Sequence, residues 1–435
     1  MSIRSALLAL LAITAPLTAQ QTRSPLALTN VTVIDGTGAA ARANMTVVIT
    51  GDRITAVYPT GQRQLPAGVT VRDLRGQFVI PGLIDAHVHL VPAHVTNGVL
   101  RRLLRGGVTT VRNMVGSCQA LAEMNRQVAA GETEGPDIFY SSVVAGPAGR
   151  SDPRAGRGRR AGAPGVGACG HILSDSADPK AIIAASKAAT ATGMKLYSDM
   201  SAEWAKRLTD EAHRKQMKVW AHAALFPARP SDVVRAGVDV LSHAAYLSWE
   251  TADSLPSYRE RVKGAPWLRG RPDDPRVEQV LRAMAERGAI LDATLWLFHN
   301  QATATTPSPN EDFQVGRDTL AGAAKWAFDV TRRARELGVL VSAGTDGQGA
   351  VEEGSLPNLH NELALLVRES GFTPVEAIRS ATSIAARTMG LESRIGSVAE
   401  GMQADLVVLK SDPTKSIGAT RDIAFVVKRG RILEN

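Results

Sequence analysis

Cysteine is almost absent from this 435-residue chain, which carries only Cys118 and Cys169. Two cysteines without CxxC spacing do not make a zinc site, and the chain is far too long to be a disulfide-stapled mini-domain. Export would permit a bridge between them, but the sequence does not show their Cα atoms within bonding range, and free thiols are the favoured expectation. Also missing is any apolar run of the roughly 20 residues needed to cross a bilayer. Charge of one sign is not spread over the chain either. The net charge of +8 owes much to one stretch, where Arg150, Arg154, Arg157, Arg159 and Arg160 face Asp152 alone. No aromatic residues interleave that Arg/Gly segment (149–170), which excludes a nucleic-acid partner and reads as a solvated loop or a lid.

The N-terminus has the three parts of a secretory signal over residues 1–19. Arg4 supplies the positive end, Ala6–Ile13 the short apolar run, and Leu17-Thr18-Ala19 the small-residue cleavage site. No cysteine lies near that site, so a lipid anchor is not indicated. The expectation is an exported protein, periplasmic or secreted.

Residues 20–78 read as the first part of a β-sandwich. Leu28–Ile34 and Met45–Ile49 alternate in hydrophobicity and stop at the turn pairs Asp35-Gly36 and Gly51-Asp52. The same style returns in 391–435, at Asp405–Leu409 and Ile423–Val427, so one sheet domain assembled from both termini is expected. Between them, over 79–390, strands alternate with helices such as Pro179–Thr192 and Pro275–Arg287. The strand candidates are Phe78–His89, Thr109–Met114, Ile138–Val144, Met194–Ser198, Lys218–His222, Val238–His243, Ala289–Leu295 and Val339–Asp346. Eight such alternations predict an α/β fold, a (β/α)₈ TIM barrel.

Catalytic groups of such a barrel stand where its strands end. The first strand ends in His87 and His89, two apart and so on one side; the fifth ends at His222, the sixth at His243, the eighth at Asp346. A lone strand-end histidine is more often a structural residue than a ligand. Four histidines and an aspartate, each at a strand end of one barrel, predict a metal centre.

The run Pro81-Gly82-Leu83-Ile84-Asp85-Ala86-His87-Val88-His89, with Ala404-Asp405-Leu406-Val407-Val408-Leu409 near the end, resembles the amidohydrolase superfamily, its prolidase-like and imidazolonepropionase-like branches in particular. The resemblance implies two divalent metal ions, zinc by default, with manganese or cobalt as alternatives. His87, His89 and Asp346 would hold one and His222 and His243 the other. Gly193-Met194-Lys195-Leu196-Tyr197 resembles the segment carrying a lysine carboxylated by CO2, which makes Lys195 the bridge; otherwise Lys195 would pair with an acid such as Asp199. A hydroxide between the metals would attack, and Asp346 would pass its proton to the leaving amine. His171 and Tyr246 match positions that meet the reacting carbonyl or a terminal carboxylate. Ser242 stands where many relatives carry glutamate. His360 also matches the family but opens a helix and is equally suited to packing. His94, His213 and His299 are read as structural.

The function implied is hydrolysis of a small-molecule amide or dipeptide whose leaving part is an amino acid with a free carboxylate: Xaa-Pro or other dipeptides, N-acyl or N-aroyl amino acids, ochratoxin-like amides. The alternative is opening of a cyclic amide or lactone, as in imidazolonepropionase-like relatives; those mostly use one metal and need no bridging lysine. A deaminase is disfavoured because Ala223-Ala224-Leu225, with no His-x-x-Glu pairing, follows His222. A non-catalytic exported binding protein is the remote alternative. Relatives commonly assemble, so a homo-oligomer is expected.

Overall fold

The computed structural model describes residues 24–90, 95–151, 169–306, 314–347 and 355–434. The signal segment, His94 and most of the Arg/Gly segment lie outside the described residues. Five strands open the chain: β1 (Leu26–Val33), β2 (Arg42–Thr50), β3 (Arg53–Pro59), β4 (Thr70–Asp73) and β5 (Phe78–Pro81). Nine more form a parallel sheet: β6 (Leu83–Val88), β7 (Val108–Asn113), β8 (Asp137–Ala145), β9 (Gly170–Ile172), β10 (Gly193–Leu196), β11 (Lys218–His222), β12 (Val240–Ser242), β13 (Ile290–Asp292) and β14 (Leu340–Ser342). The chain closes with β15 (Leu406–Leu409), β16 (Ile423–Lys428) and β17 (Arg431–Glu434).

β6–β8 and β10–β14 are the eight barrel strands, and backbone bonds join the first to the last: Ala86 N donates to Ala343 O at 3.0 Å, and Val88 bridges Gly347. β15 pairs antiparallel with β5, and the mostly antiparallel second sheet runs β17-β16-β15-β5-β1-β2-β3. The architecture is a TIM barrel with a small β-sandwich built from both termini.

Two sequence expectations are corrected here. Phe78–His89 is two strands, not one: β5 belongs to the sandwich and β6 to the barrel, and the hand-over falls at Gly82. A Cβ there would overlap the Thr109 side chain, so only glycine lets the chain cross this close to β7. Met45–Ile49, read as alternating, is buried on both faces.

Helices fill the gaps with legible starts. Asp178, Ser201 and Asp274 accept backbone N–H groups at their N-caps, and Pro179 and Pro275 occupy the first turn, where a missing N–H costs nothing. Sandwich and barrel are locked by a buried charge cluster. Lys428 Nζ lies 2.9 Å from Asp137, 2.8 Å from Asp405 and 2.9 Å from Thr109 O, and Arg429 also donates to Asp137 at 2.8 Å. Among the described residues no helix is long and apolar enough to cross a membrane.

The cysteines are paired, against the sequence expectation. Cys118 opens the helix after β7, Cys169 precedes β9, and their Cα atoms are 5.6 Å apart in a disulfide. The reason is topological. β7 pairs with the lower part of β8 (Asn113 opposite Tyr140) and β9 with its upper part (Gly170 opposite Val143). β10 occupies the other edge of β8 at Val143–Val144, so β9 lies on the edge that β7 vacates, beside the residues that follow β7.

Candidate metal centre

β6 and the segment after β14 are zipped together at the C-terminal face of the barrel. His89 N donates to Gly347 O at 2.7 Å and Asp346 N to His87 O at 2.9 Å. Asp85 seals the seam, accepting from Thr345 N at 3.0 Å, Thr345 Oγ1 at 2.8 Å and His87 N at 3.2 Å. Burial pushes its carboxyl up to about 7, and those bonds restrain the rise. The zip sets His87 Nε2 3.2 Å and His89 Nε2 2.6 Å from Asp346 Oδ1, close enough for one ion to be shared by all three. Burial alone would raise the Asp346 carboxyl, but His89 and His87 hold it well below the usual carboxylate range. Gly344 makes the approach possible, since a Cβ there would stand 2.5 Å from Asp292 Oδ1 and 2.7 Å from His87 Cβ.

The other imidazoles converge on this group. Ring centroids are 4.8 Å apart for His222 and His243 and 5.0 Å for His87 and His243. Successive strand residues face opposite sides, yet Ser242 and His243 both reach into the barrel. A left-handed φ of 73° at His243 breaks the alternation and re-aims its ring. Burial pushes the His87 imidazole down to about 4, and His222 and His243 well below their ordinary value. These three rings are therefore neutral near pH 7, with lone pairs to offer.

Lys195 comes from β10 and is 2% exposed. The pairing with Asp199 is not formed: among the described residues Lys195 Nζ has no hydrogen-bond partner, and the Asp199 carboxylate accepts from Ser198 Oγ at 3.1 Å. Burial pushes the amine down to about 7, although Asp292 and Asp346 pull it up. Among the described residues, Lys195 Nζ, His222 Nδ1 and His87 Nε2 are all buried without a hydrogen bond. Leaving such groups unsatisfied costs about 1–3 kcal/mol each. Neutral imidazoles, carboxylate and an amine with no protein partner form a donor set that divalent cations would satisfy, so the residues fit the metals the sequence implies.

Sequence reasoning missed the residues that hold the candidate ligands. Asp292 Oδ2, at the end of β13, accepts from His87 Nδ1 at 2.6 Å, Arg112 Nη2 at 2.9 Å and Ser242 Oγ at 2.9 Å. Burial would raise the Asp292 carboxyl, but His87 and Arg112 hold it below its ordinary range. Ser242 thus supports this carboxylate. Arg112, wholly buried, also donates to Ala86 O at 2.5 Å and lies 4.7 Å over the Trp220 ring. Thr294 Oγ1 is 3.0 Å from His243 Nδ1. The available signal was a lone acid in Ile290-Leu291-Asp292-Ala293 and a lone base in Thr110-Val111-Arg112.

Tyr246 lies with its ring 5.3 Å from His243 and 6.0 Å from His222. His171 is half-buried on β9, opposite Val144, one residue beyond the row that aligns Val143 with Lys195. His360 packs away from the centre: Nδ1 meets Thr420 Oγ1 and Nε2 meets Gly106 O, both at 3.0 Å. His213 pairs with Asp239 at 2.9 Å, and His299 lies against Trp296 and Phe328.

Comparison with known proteins agrees with this geometry. The amidohydrolase family matches residues 78–433. The imidazolonepropionase of Cutibacterium acnes is 26% identical over 388 residues, 84% of each chain. Among solved structures, a candidate prolidase from Bifidobacterium longum superposes with a TM-score of 0.71 at 25% identity over 95% of each chain. The ochratoxinase of A. niger gives 0.74 at 19% identity over 95% of this chain and 96% of its own, which speaks to the fold alone. Because the family match runs from β5 to the final strand and the strand ends carry the donors just described, the chain belongs to the amidohydrolase family, metal-dependent hydrolases acting on carbon–nitrogen bonds.

Proposed function

We propose that this protein is an exported binuclear hydrolase that cleaves the amide bond to an amino acid with a free carboxylate, as in Xaa-Pro and other dipeptides, N-acyl amino acids or N-aroyl amino acids of the ochratoxin kind. The observation that carries the reading is Lys195, a buried amine that, among the described residues, has no hydrogen-bond partner and lies among buried, neutral imidazoles. Addition of CO2 to its Nζ, with loss of one proton, would turn that costly group into a carbamate able to bridge two cations. His87, His89 and Asp346 would hold one cation, His222 and His243 the other, zinc being the default. When bound, the pair would lower the pKa of a water to about 7 and polarise the scissile carbonyl.

The protein's own groups do the rest. Asp346 Oδ1, already in reach of His87 and His89, takes the proton of the attacking water and returns it to the leaving nitrogen. Asp292 keeps His87 in the tautomer that leaves Nε2 bare. Tyr246 and His171 would meet the reacting carbonyl or the terminal carboxylate. The disulfide supports an oxidising, extracytoplasmic location.

A second reading, opening of a cyclic amide, is favoured by the Cutibacterium acnes relative. A single-metal site would leave Lys195 with no role, which favours the binuclear reading. The test is metal content per chain for wild type and Lys195→Ala prepared with bicarbonate, followed by a screen of dipeptides and N-acyl amino acids. About two metals, falling sharply in the variant, is the expected result. One metal, unchanged in the variant, would sink the binuclear reading and move cyclic amides to the front.

A further inference from the structure

Arg261 is buried to the same degree as Lys195, at 2% exposure, and the mechanism above makes no use of it. It lies on the long connection between β12 and the helix Pro275–Arg287. Burying a guanidinium is expensive unless its hydrogens are used well. Here Nε donates to Tyr246 Oη at 2.7 Å and Nη1 donates to Tyr258 O at 2.9 Å. The guanidinium carbon stands 3.9 Å over the Tyr258 ring, and that ring stacks on His222 at 5.4 Å with a 12° interplanar angle. Arg261 thus contacts both Tyr258, which stacks on the candidate ligand His222, and Tyr246, whose ring neighbours the candidate ligand His243. The Tyr246 ring is itself held between Phe226 and Phe298, edge-on to both.

A tyrosine hydroxyl has one hydrogen to give and lone pairs to receive. With the Arg261 N–H occupying a lone pair, and the guanidinium unable to accept a hydrogen bond, the Tyr246 hydrogen must point elsewhere. Its ring lies 5.3 Å from His243 and 6.0 Å from His222, so an acceptor formed at the metal centre would lie beside this residue. We infer that Arg261 is a positioning residue that fixes the Tyr246 hydroxyl as a hydrogen-bond donor to the oxyanion developing on the scissile carbonyl. This rests on the amide-hydrolase reading above. The contribution is made in the transition state and not in substrate binding, because the carbonyl becomes an oxyanion only there.

The test is a double-mutant cycle between Arg261→Gln and Tyr246→Phe on metal-loaded protein, read as kcat and KM on an N-acyl amino acid. Removing an oxyanion donor lowers kcat about 100-fold or more, and loosening it by misplacement costs up to about 100-fold. Arg261→Gln is expected to lower kcat about 10- to 100-fold with KM within about 3-fold, and the double variant to be no slower than Tyr246→Phe alone. Arg261→Lys, which keeps the buried charge, replaces the glutamine variant if that one fails to fold. The same four proteins are titrated calorimetrically with methylphosphonate, a tetrahedral oxyanion that needs no turnover; each single variant is expected to bind about 10-fold more weakly and the double no more weakly than Tyr246→Phe. Multiplying losses in the double variant, a raised KM with unchanged kcat, or no binding of methylphosphonate by wild type would each overturn the inference. If wild type cleaves no amide of the proposed class, the functional reading fails, and the methylphosphonate cycle still decides the role of Arg261.

Discussion

Replacing Asp292 with asparagine changes one atom and removes one charge from a position where three donors converge on a single oxygen. His87, Arg112 and Ser242 all donate to Oδ2 at 2.6–2.9 Å. An amide oxygen placed there still accepts, but as a neutral group, so the imidazole loses the charge-assisted bond that would make Nε2 a stronger ligand. Loss of such a supporting carboxylate lowers metal affinity about 10- to 100-fold, or about 1.4–2.7 kcal/mol. A second effect is independent of metal. Arg112 is wholly buried, burial already pushes its guanidinium down to about 10, and Asp292 is the largest influence opposing that. Removing one partner of a buried pair destabilises by about 3–5 kcal/mol. Zinc-loaded Asp292→Asn is therefore expected to release the metal to a competing chelator at about 10- to 100-fold lower chelator concentration than zinc-loaded wild type. Its metal-free form should also unfold at lower denaturant. Zinc affinity within about 2-fold of wild type, with only the stability lowered, would refute the claim that Asp292 acts through His87.

Two further predictions concern stability away from the centre. Lys428→Met leaves Asp137 and Asp405 buried with one cation fewer, so denaturant unfolding should report a loss of about 3–5 kcal/mol; a loss below about 1 kcal/mol would mean that Arg429 suffices. Burial pushes His360 down to about 4 from an ordinary value of 6.5. Between those values the unfolded chain binds a proton that the folded one does not, so His360 favours folding fully above pH 6.5 and loses about 3 kcal/mol as pH falls to 4. The wild-type minus His360→Gln difference in unfolding free energy should shrink over that window, and a flat difference would be the contrary result.

The barrel was legible because its strands are short apolar runs that end in polar residues, and the candidate ligands stand at those ends. The sequence-based strands overshoot for a related reason: pairing stops at Ser242, Asp292 and Ser342, while the apolar pattern runs on into residues the site has taken. What stayed hidden depends on neighbours far apart in the chain. Nothing near Asp292 announces Arg112, 180 residues earlier, and nothing near Cys169 announces that β9 takes the place beside β8 that β7 leaves. The break at Gly82 was hidden because apolar residues continue on both sides of it. Arg261 and Tyr258 lie in a connection with no periodic pattern, and their significance appears only when the ring of Tyr258 is seen against His222.

Five consecutive barrel strands are followed, within a few residues, by a non-glycine residue in the left-handed region: Asp199 after β10, Phe226 after β11, His243 after β12, Thr294 after β13 and Asp346 after β14, with φ between 51° and 73°. Each such residue costs about 1–3 kcal/mol, and glycine would relieve most of it. The sequence keeps side chains there nonetheless. His243 and Asp346 are candidate ligands, Thr294 steadies His243, and Phe226 packs edge-on against Tyr246 and Tyr258. A straight strand would send alternate side chains out of the barrel. The kinks let residues that would otherwise face the helices turn into the mouth, so the barrel gathers more functional groups than its pleat allows. The strain and the orphaned buried donors lie at the same face, which is where a fold optimised only for stability would have placed neither.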